Sequence, residues 1–308
     1  LNIDFKEYLS VMKKDYENIF DKITHNNTIN NVDVNLHFKY IKFNPNGDLK
    51  IDLLVETLIS YFTHYCFSAK KRSIDNNLSE IEKEKQRNKL NNEARKLFRK
   101  WVNDTQITSG EAGEMILWLL IEAVLEAPQV VAKMDLKTNP QLESFGSDGI
   151  NMKVIDNVLN IFFGEAKLYQ DIGKALDSIF DSIGNFHQNA LKKHECNMVT
   201  THYKYLTEGE KEKVYKFIND NLNADKVKIN HACLVGYDWN KYKALNDINT
   251  RKSFIDKFEE EYEKESRRLT KLIQKRFDEF SKKTLIFEVF FLPFQSVQEL
   301  RDKFNDEL

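Results

Sequence analysis

From Asp148 the chain reads D-G-I-N-M-K-V-I-D-N-V-L-N-I-F-F-G-E-A-K and closes at Lys167. Two runs dense in Val, Ile, Phe and Met flank Asp156-Asn157, residue types that tolerate the positive φ of a two-residue turn, so the stretch predicts a β-hairpin. With that turn Met152 faces Ile161 and Ile150 faces Phe163, apolar cross-strand pairs of the kind that hold a sheet together. On the same register Asp148 faces Glu165, and the two carboxylates share a face at the end of the apolar row.

Carboxylates placed opposite each other repel, so the pair has a reason to exist only if a cation sits between them. A hard divalent ion, Mg²⁺ or Mn²⁺, suits such oxygen ligands. Lys167 follows Glu165 by two residues, and the pleat points its ammonium to the same face. Carboxylates, a metal and a lysine are the parts of phosphodiester hydrolysis: the ion activates water and polarises the phosphoryl oxygen, while the lysine orients or helps deprotonate the water and stabilises charge. Gly149 and Gly164 let a backbone or substrate approach closely, and the Ala166 carbonyl is a candidate further metal ligand.

Outward from the hairpin, helices and strands alternate. Val34 to Phe43 reads as a strand and ends in the turn signal Asn44-Pro45-Asn46-Gly47-Asp48. An apolar helix is expected over about 50 to 68, and a charged one of loose helical period over Lys70 to Lys100. A helix from Ser109 to Glu126 is stopped by Pro128, and a first strand, Gln129 to Leu136, precedes the hairpin. Asp171 to Leu191 reads as a helix with Ile172, Leu176, Ile179 and Ile183 in one stripe. Then come a helix at Gly209 to Asn221, a strand at Val227 to Tyr237, a charged helix at Ser253 to Lys283, a strand at Leu285 to Leu292 and a short last helix. The order argues for an α/β layer structure.

Composition narrows the function. With 41% hydrophobic residues the chain buries a real core, which excludes global disorder. A formal charge of −2 gives no general attraction to DNA, so nucleic-acid contact must be local or helped by a partner. The longest apolar stretch, Met115 to Ala127, is too short to span a membrane and is interrupted by Glu122 and Glu126; with no leader-like start, the chain reads as soluble and cytoplasmic. Cys66, Cys196 and Cys233 lie far apart without C-x-x-C spacing, and the seven histidines form no ligand pattern, which argues against zinc.

Gly146-Ser147-Asp148-Gly149 followed by Gly164-Glu165-Ala166-Lys167 resembles the D…E-x-K core of the PD-(D/E)xK nuclease superfamily, whose fold is a helix, three strands, a helix and a fourth strand. The order from Ser109 to Tyr237 follows that plan, which implies a restriction-endonuclease-like core with a mixed central sheet flanked by helices. The resemblance also implies an acid on the preceding helix, supplied by Glu114 in Gly113-Glu114-Met115-Ile116-Leu117. Four words in this order, Gly-Glu-Met-Ile-Leu, Lys133-Met134-Asp135-Leu136-Lys137-Thr138, Gly-Ser-Asp-Gly and Gly-Glu-Ala-Lys, resemble the HamA family. That family is the nuclease subunit of the Hachiman antiphage system, paired there with the helicase HamB.

The resemblance thus implies a Mg²⁺- or Mn²⁺-dependent DNA nuclease working beside a HamB-like helicase, with Glu114, Asp148, Glu165 and Lys167 as catalytic residues and Glu114, Asp148, Glu165 and Ala166 as metal ligands. Residues 1–105 are expected as an N-terminal helical and β elaboration and candidate partner interface, and 106–308 as the nuclease core. Glu111 competes with Glu114 as the helix acid, being close to the same face and nearer the helix start. Lys137 reads as a strand-end surface lysine, Lys174 and Gln188 as candidate substrate contacts, and Trp239 as packing. Two other classes fit the chain: a non-catalytic adaptor that restrains a helicase, which the intact acids and lysine argue against, and a stand-alone restriction-type endonuclease.

Overall fold

The computed structural model describes residues 3–102, 110–131, 147–188, 203–205, 207–221, 226–245, 250–281 and 285–308. Ten α-helices and six strands are described. The helices are α1 (Lys13–Ile19), α2 (Ile51–Ser60), α3 (Phe62–Cys66), α4 (Ala69–Arg72), α5 (Glu80–Val102), α6 (Glu111–Leu120), α7 (Ile172–Gln188), α8 (Glu208–Asn221), α9 (Arg251–Glu279) and α10 (Val297–Asp306). The strands are β1 (Phe20–Lys22), β2 (Asp33–Ile41), β3 (Gly149–Ile155), β4 (Val158–Tyr169), β5 (Val227–Asp238) and β6 (Ile286–Phe294). They form one mixed sheet in the order β1-β2-β6-β5-β4-β3.

The hairpin β3–β4 has the predicted register. Ile155 pairs with Val158, Met152 with Ile161, Ile150 with Phe163 and Gly149 with Gly164. Asp156 and Asn157 sit at φ +49° and +61°, the left-handed pair that a right-twisting two-residue hairpin turn requires. β4 then pairs parallel with β5, β5 with β6, and β6 with β2, while β1 and β3 close the two edges antiparallel. Interior parallel strands are covered on both faces, which is why Ala232 to Tyr237 and Val289 to Phe294 are nearly unbroken apolar runs.

Period-2 alternation sorts β4 between two cores. Phe162, Ala166 and Leu168 pack with α2, α3, α6 and α10. Ile161 and Phe163 turn the other way, with Ile150, Met152 and Phe186 of α7. Further along that second face Cys233, Val235 and Tyr237 meet α7 and α9. Tyr61, Phe62 and Tyr65, from the first third of the chain, share a core with Leu117, Trp118 and Phe304, and β2 lies inside the common sheet.

Some elements differ from their sequence signals. The expected helix over 50 to 68 is two helices that meet at Tyr61, and the charged segment after Lys70 is divided into α4 and α5. After Leu120, α6 widens into a π turn, Ile121–Leu125, and Glu126 at φ +53° ends it before Pro128. The strand expected at Gln129 to Leu136 is corrected within the described residues: Gln129 and Val131 make only isolated bridges, to Asn151 and Tyr203. The segment does bond to β3, Val130 N–H to the Ile150 carbonyl and Met152 N–H to the Pro128 carbonyl, while on its outer side the Gln129 N–H is taken by the Glu122 carboxylate at 3.1 Å. Residues 132–136 and Lys137 lie outside the described residues. Trp239 is buried against Tyr242, Phe258 and Tyr262, a packing residue as expected.

Candidate metal centre

Asp148 stands one residue beyond Gly149–Gly164, the last paired residues of the hairpin. Its N–H donates to the Gly164 carbonyl at 2.7 Å, and its Oδ2 accepts from the Ala166 N–H at 2.6 Å. The side chain therefore occupies the place a continuing β3 backbone would take beside β4. A strand residue points its N–H and C=O to the same side, so the Ala166 carbonyl faces this edge too. The Asp148 carboxyl is pushed well above the usual carboxylate range, first by burial, then by the charges of Glu165 and Glu114. The Ala166 N–H and the Lys167 ammonium oppose that rise without cancelling it.

Glu165 lies on β4, only 8% exposed, in line with Ile161 and Phe163. Asp148, outside β3, has its carboxylate at the open edge of β4 on the Ala166 N–H rather than on either face. The Lys167 ammonium meets Glu165 Oε1 at 2.8 Å. Burial works against that ammonium, but Glu165 and then Asp148 outweigh it and hold the lysine above its ordinary value. Next to Glu165, on β5, the Cys233 thiol is raised by burial and by both acids.

Glu114 reaches the site from α6, on the other side of β4. Gly113 eases the approach: a Cβ there would stand 3.0 Å from Leu168 Cγ and 3.5 Å from Ala166 Cβ, so a side chain at this position would require Leu168 to give by a few tenths of an ångström. Glu114 Oε2 accepts a hydrogen bond from the Tyr65 hydroxyl at 3.2 Å. Tyr65 is 2% exposed, and its hydroxyl is raised by burial and by the charges of Glu114 and Asp148. Glu111 is buried one turn earlier on α6; the acids that act on Asp148 are Glu165 and Glu114.

Among the described residues no three of His, Cys, Asp and Glu already stand at metal-holding separation. The donor set nonetheless has the character of a hard-cation site: two carboxylates that raise the proton affinity of a third, Asp148, and a main-chain carbonyl on the same edge. A divalent cation would remove that repulsion; Asp148, Glu165, Glu114 and the Ala166 carbonyl are the groups able to hold it.

Compared with known families, the model for HamA matches residues 14–308. The chain belongs to the HamA family. Membership brings a role in Hachiman antiphage defence. No curated protein matches the chain. The HamA match runs from α1 to the last residue, so it takes in Tyr65 as well as the hairpin acids. No helix among the described residues is long and apolar enough to cross a membrane.

Tyr65 and the network behind it carry no local signal in this HamA sequence. In Phe62-Thr63-His64-Tyr65-Cys66-Phe67 the tyrosine looks like one more core aromatic. Its backbone carbonyl accepts from Lys204 Nζ at 3.4 Å, and Lys204 also donates to Gln129 Oε1 at 2.6 Å. Lys204 is 2% exposed, and burial pushes it down to about 7. Glu122 accepts from Trp118 Nε1 and from the backbone of Ser10, Val11 and Gln129, tying the N-terminal segment to α6. Lys174 is exposed at the start of α7, its N–H on Asp171 Oδ1; the Gln188 side chain lies outside the described residues.

Proposed function

We propose that this chain is a metal-dependent deoxyribonuclease, the effector of a Hachiman helicase–nuclease pair, built on a PD-(D/E)xK core. The observation that carries the reading is the convergence of Glu165 and Glu114 on the Asp148 carboxyl, with Lys167 bound to Glu165 at 2.8 Å. Structural roles are poorly served by acids that repel one another in a largely enclosed place; a cation site is well served. The order α6, hairpin, α7, β5 supports the superfamily core.

In this reading Asp148, Glu165, Glu114 and the Ala166 carbonyl hold Mg²⁺ or Mn²⁺. The bound ion supplies Lewis acidity to a phosphoryl oxygen and a lower pKa to its water. The chain's own residues do the rest. Lys167 presents a positive charge beside Glu165, where it orients water and offsets charge gathering on the phosphate. The Ala166 N–H fixes the Asp148 carboxylate, and Tyr65 fixes Glu114. A net charge of −2 supports delivery of DNA by a helicase partner rather than capture by the chain's own field.

Plasmid cleavage with Mg²⁺, run on the complex with its helicase, tests the proposal. Wild type is expected to cut, and Glu165→Ala and Lys167→Ala are expected not to. Equal cleavage by all three would sink the catalytic reading, and no cleavage by any would favour an adaptor that restrains the helicase.

A further inference from the structure

At the far edge of the sheet two lysines repeat, with opposite sign, the problem the acids pose. Lys22 of β1 is the direct cross-strand partner of Lys39 of β2, an arrangement in which like charges destabilise the pair. Lys39 is 4% exposed and its ammonium donates to the Tyr16 hydroxyl at 2.9 Å, a neutral group. Among the described residues neither lysine has a carboxylate at ion-pair distance. Asp21 sits beside Lys42 at 3.8 Å, and Glu288 is bonded to His37 at 2.7 Å. Burial, then Lys22, pushes Lys39 down to about 8, so its charge is held against resistance.

Past β1 the chain stays bonded to β2, Ile23 N–H to the Phe38 carbonyl at 3.2 Å, and a cavity of about 220 Å³ lies along this pair, its walls including Lys22, Thr24, His37 and Lys39. We propose that this cavity binds a phosphate monoester or free phosphate, held between the Lys22 and Lys39 ammoniums with the Thr24 hydroxyl beside them. A monoester carries a charge of roughly −1.5 to −2, which matches two facing cations, whereas an internal diester or a lone carboxylate leaves one of them uncompensated. His25 does not compete for the role: its Nε2 is committed to the Leu36 carbonyl at 3.0 Å, and its Nδ1 accepts from the Asn27 N–H. β2 and β4 are three ladder steps apart, roughly 15 Å, so the site is separate from the acids and stands without the nuclease reading.

Calorimetric titration of the full chain at pH 7 in the presence of a chelator tests the site, with inorganic phosphate as the probe. Wild type is expected to bind saturably. Lys22→Glu, a change at an exposed position, is expected to weaken binding by about tenfold or more, the usual consequence of losing a charge-assisted contact. Lys39→Met, checked by circular dichroism to be folded, is expected to do the same. Competition by a 5′-phosphorylated oligonucleotide but not its 5′-hydroxyl twin would assign the site to a strand end. Competition by neither would assign it to free phosphate or a nucleotide. A wild type that binds no phosphate, or variants that bind it as well as wild type does, would overturn the proposal.

Discussion

Replacing Tyr65 by Phe takes one hydroxyl from the protein and leaves the ring, which packs at 5.5 Å from Trp118 and 6.2 Å from Phe98. The hydroxyl's acceptor is Glu114 Oε2 at 3.2 Å. Hydrogen bonds to charged groups contribute about 1.5–3 kcal/mol, and this one is long and ends on a part-exposed carboxylate, so the stability loss should be about 1 kcal/mol. Under the proposed function the larger consequence falls on metal binding. Groups that orient a metal ligand typically change metal affinity by about 10–100-fold, and the lower end, roughly tenfold, is expected for a single long bond. The assay is the rate of plasmid cleavage by the helicase complex against Mg²⁺ concentration, alongside urea unfolding of the chain. Tyr65→Phe should move the Mg²⁺ midpoint upward and regain most of the rate at saturation. An unmoved midpoint, in a variant of near-native stability and with an active wild type, would refute the idea that Tyr65 positions Glu114.

Two further outcomes follow from packing and burial. Gly113→Val places a branched side chain where a single Cβ already meets Leu168 at 3.0 Å, so α6 must lift from β4; about 1–3 kcal/mol of stability should go, and cleavage should fall with it, read by urea unfolding and the plasmid assay. Lys204 has a folded pKa of about 7 against an unfolded value of about 10.4, so between those limits the unfolded chain holds a proton the folded chain lacks. Its contribution therefore makes stability rise with pH by up to about 1.4 kcal/mol per unit above pH 7, and urea midpoints of Lys204→Met should climb less steeply than wild type between pH 7.5 and 9.

The parts of the fold legible in the sequence are those fixed by neighbours along the chain. Asp156-Asn157 sets the turn, period 2 sets the faces, and the two together set the pairing of Ile150 with Phe163. The same logic expects Asp148 to face Glu165 across the hairpin, but the ladder stops at Gly149, and the Asp148 carboxylate takes the Ala166 N–H instead. Of the strand expected at Gln129 to Leu136, the described residues bond to β3 through Val130 and Pro128 but make only isolated bridges, a Glu122 carboxylate from the preceding helix taking the outward Gln129 N–H. Glu114 came from the superfamily resemblance, which asks for an acid on the helix before the hairpin, and not from any local pattern. Tyr65 was out of reach, since its link to Glu114 spans 49 residues and depends on how α3 packs on α6. Lys22 and Lys39 escaped for the same reason: a strand of three residues, Phe20–Lys22, leaves no periodicity to read.

The claim on which the account turns is that Asp148, Glu165 and Glu114 share one cation. Calorimetric titration with Mn²⁺ in the absence of DNA measures this most directly, on wild type, Asp148→Asn, Glu165→Gln and Glu114→Gln, with Glu288→Gln as a control whose carboxylate serves His37. Saturable binding is expected in wild type and control, weakened in Glu114→Gln and lost in the other two. Binding of equal strength in all five proteins would contradict that claim.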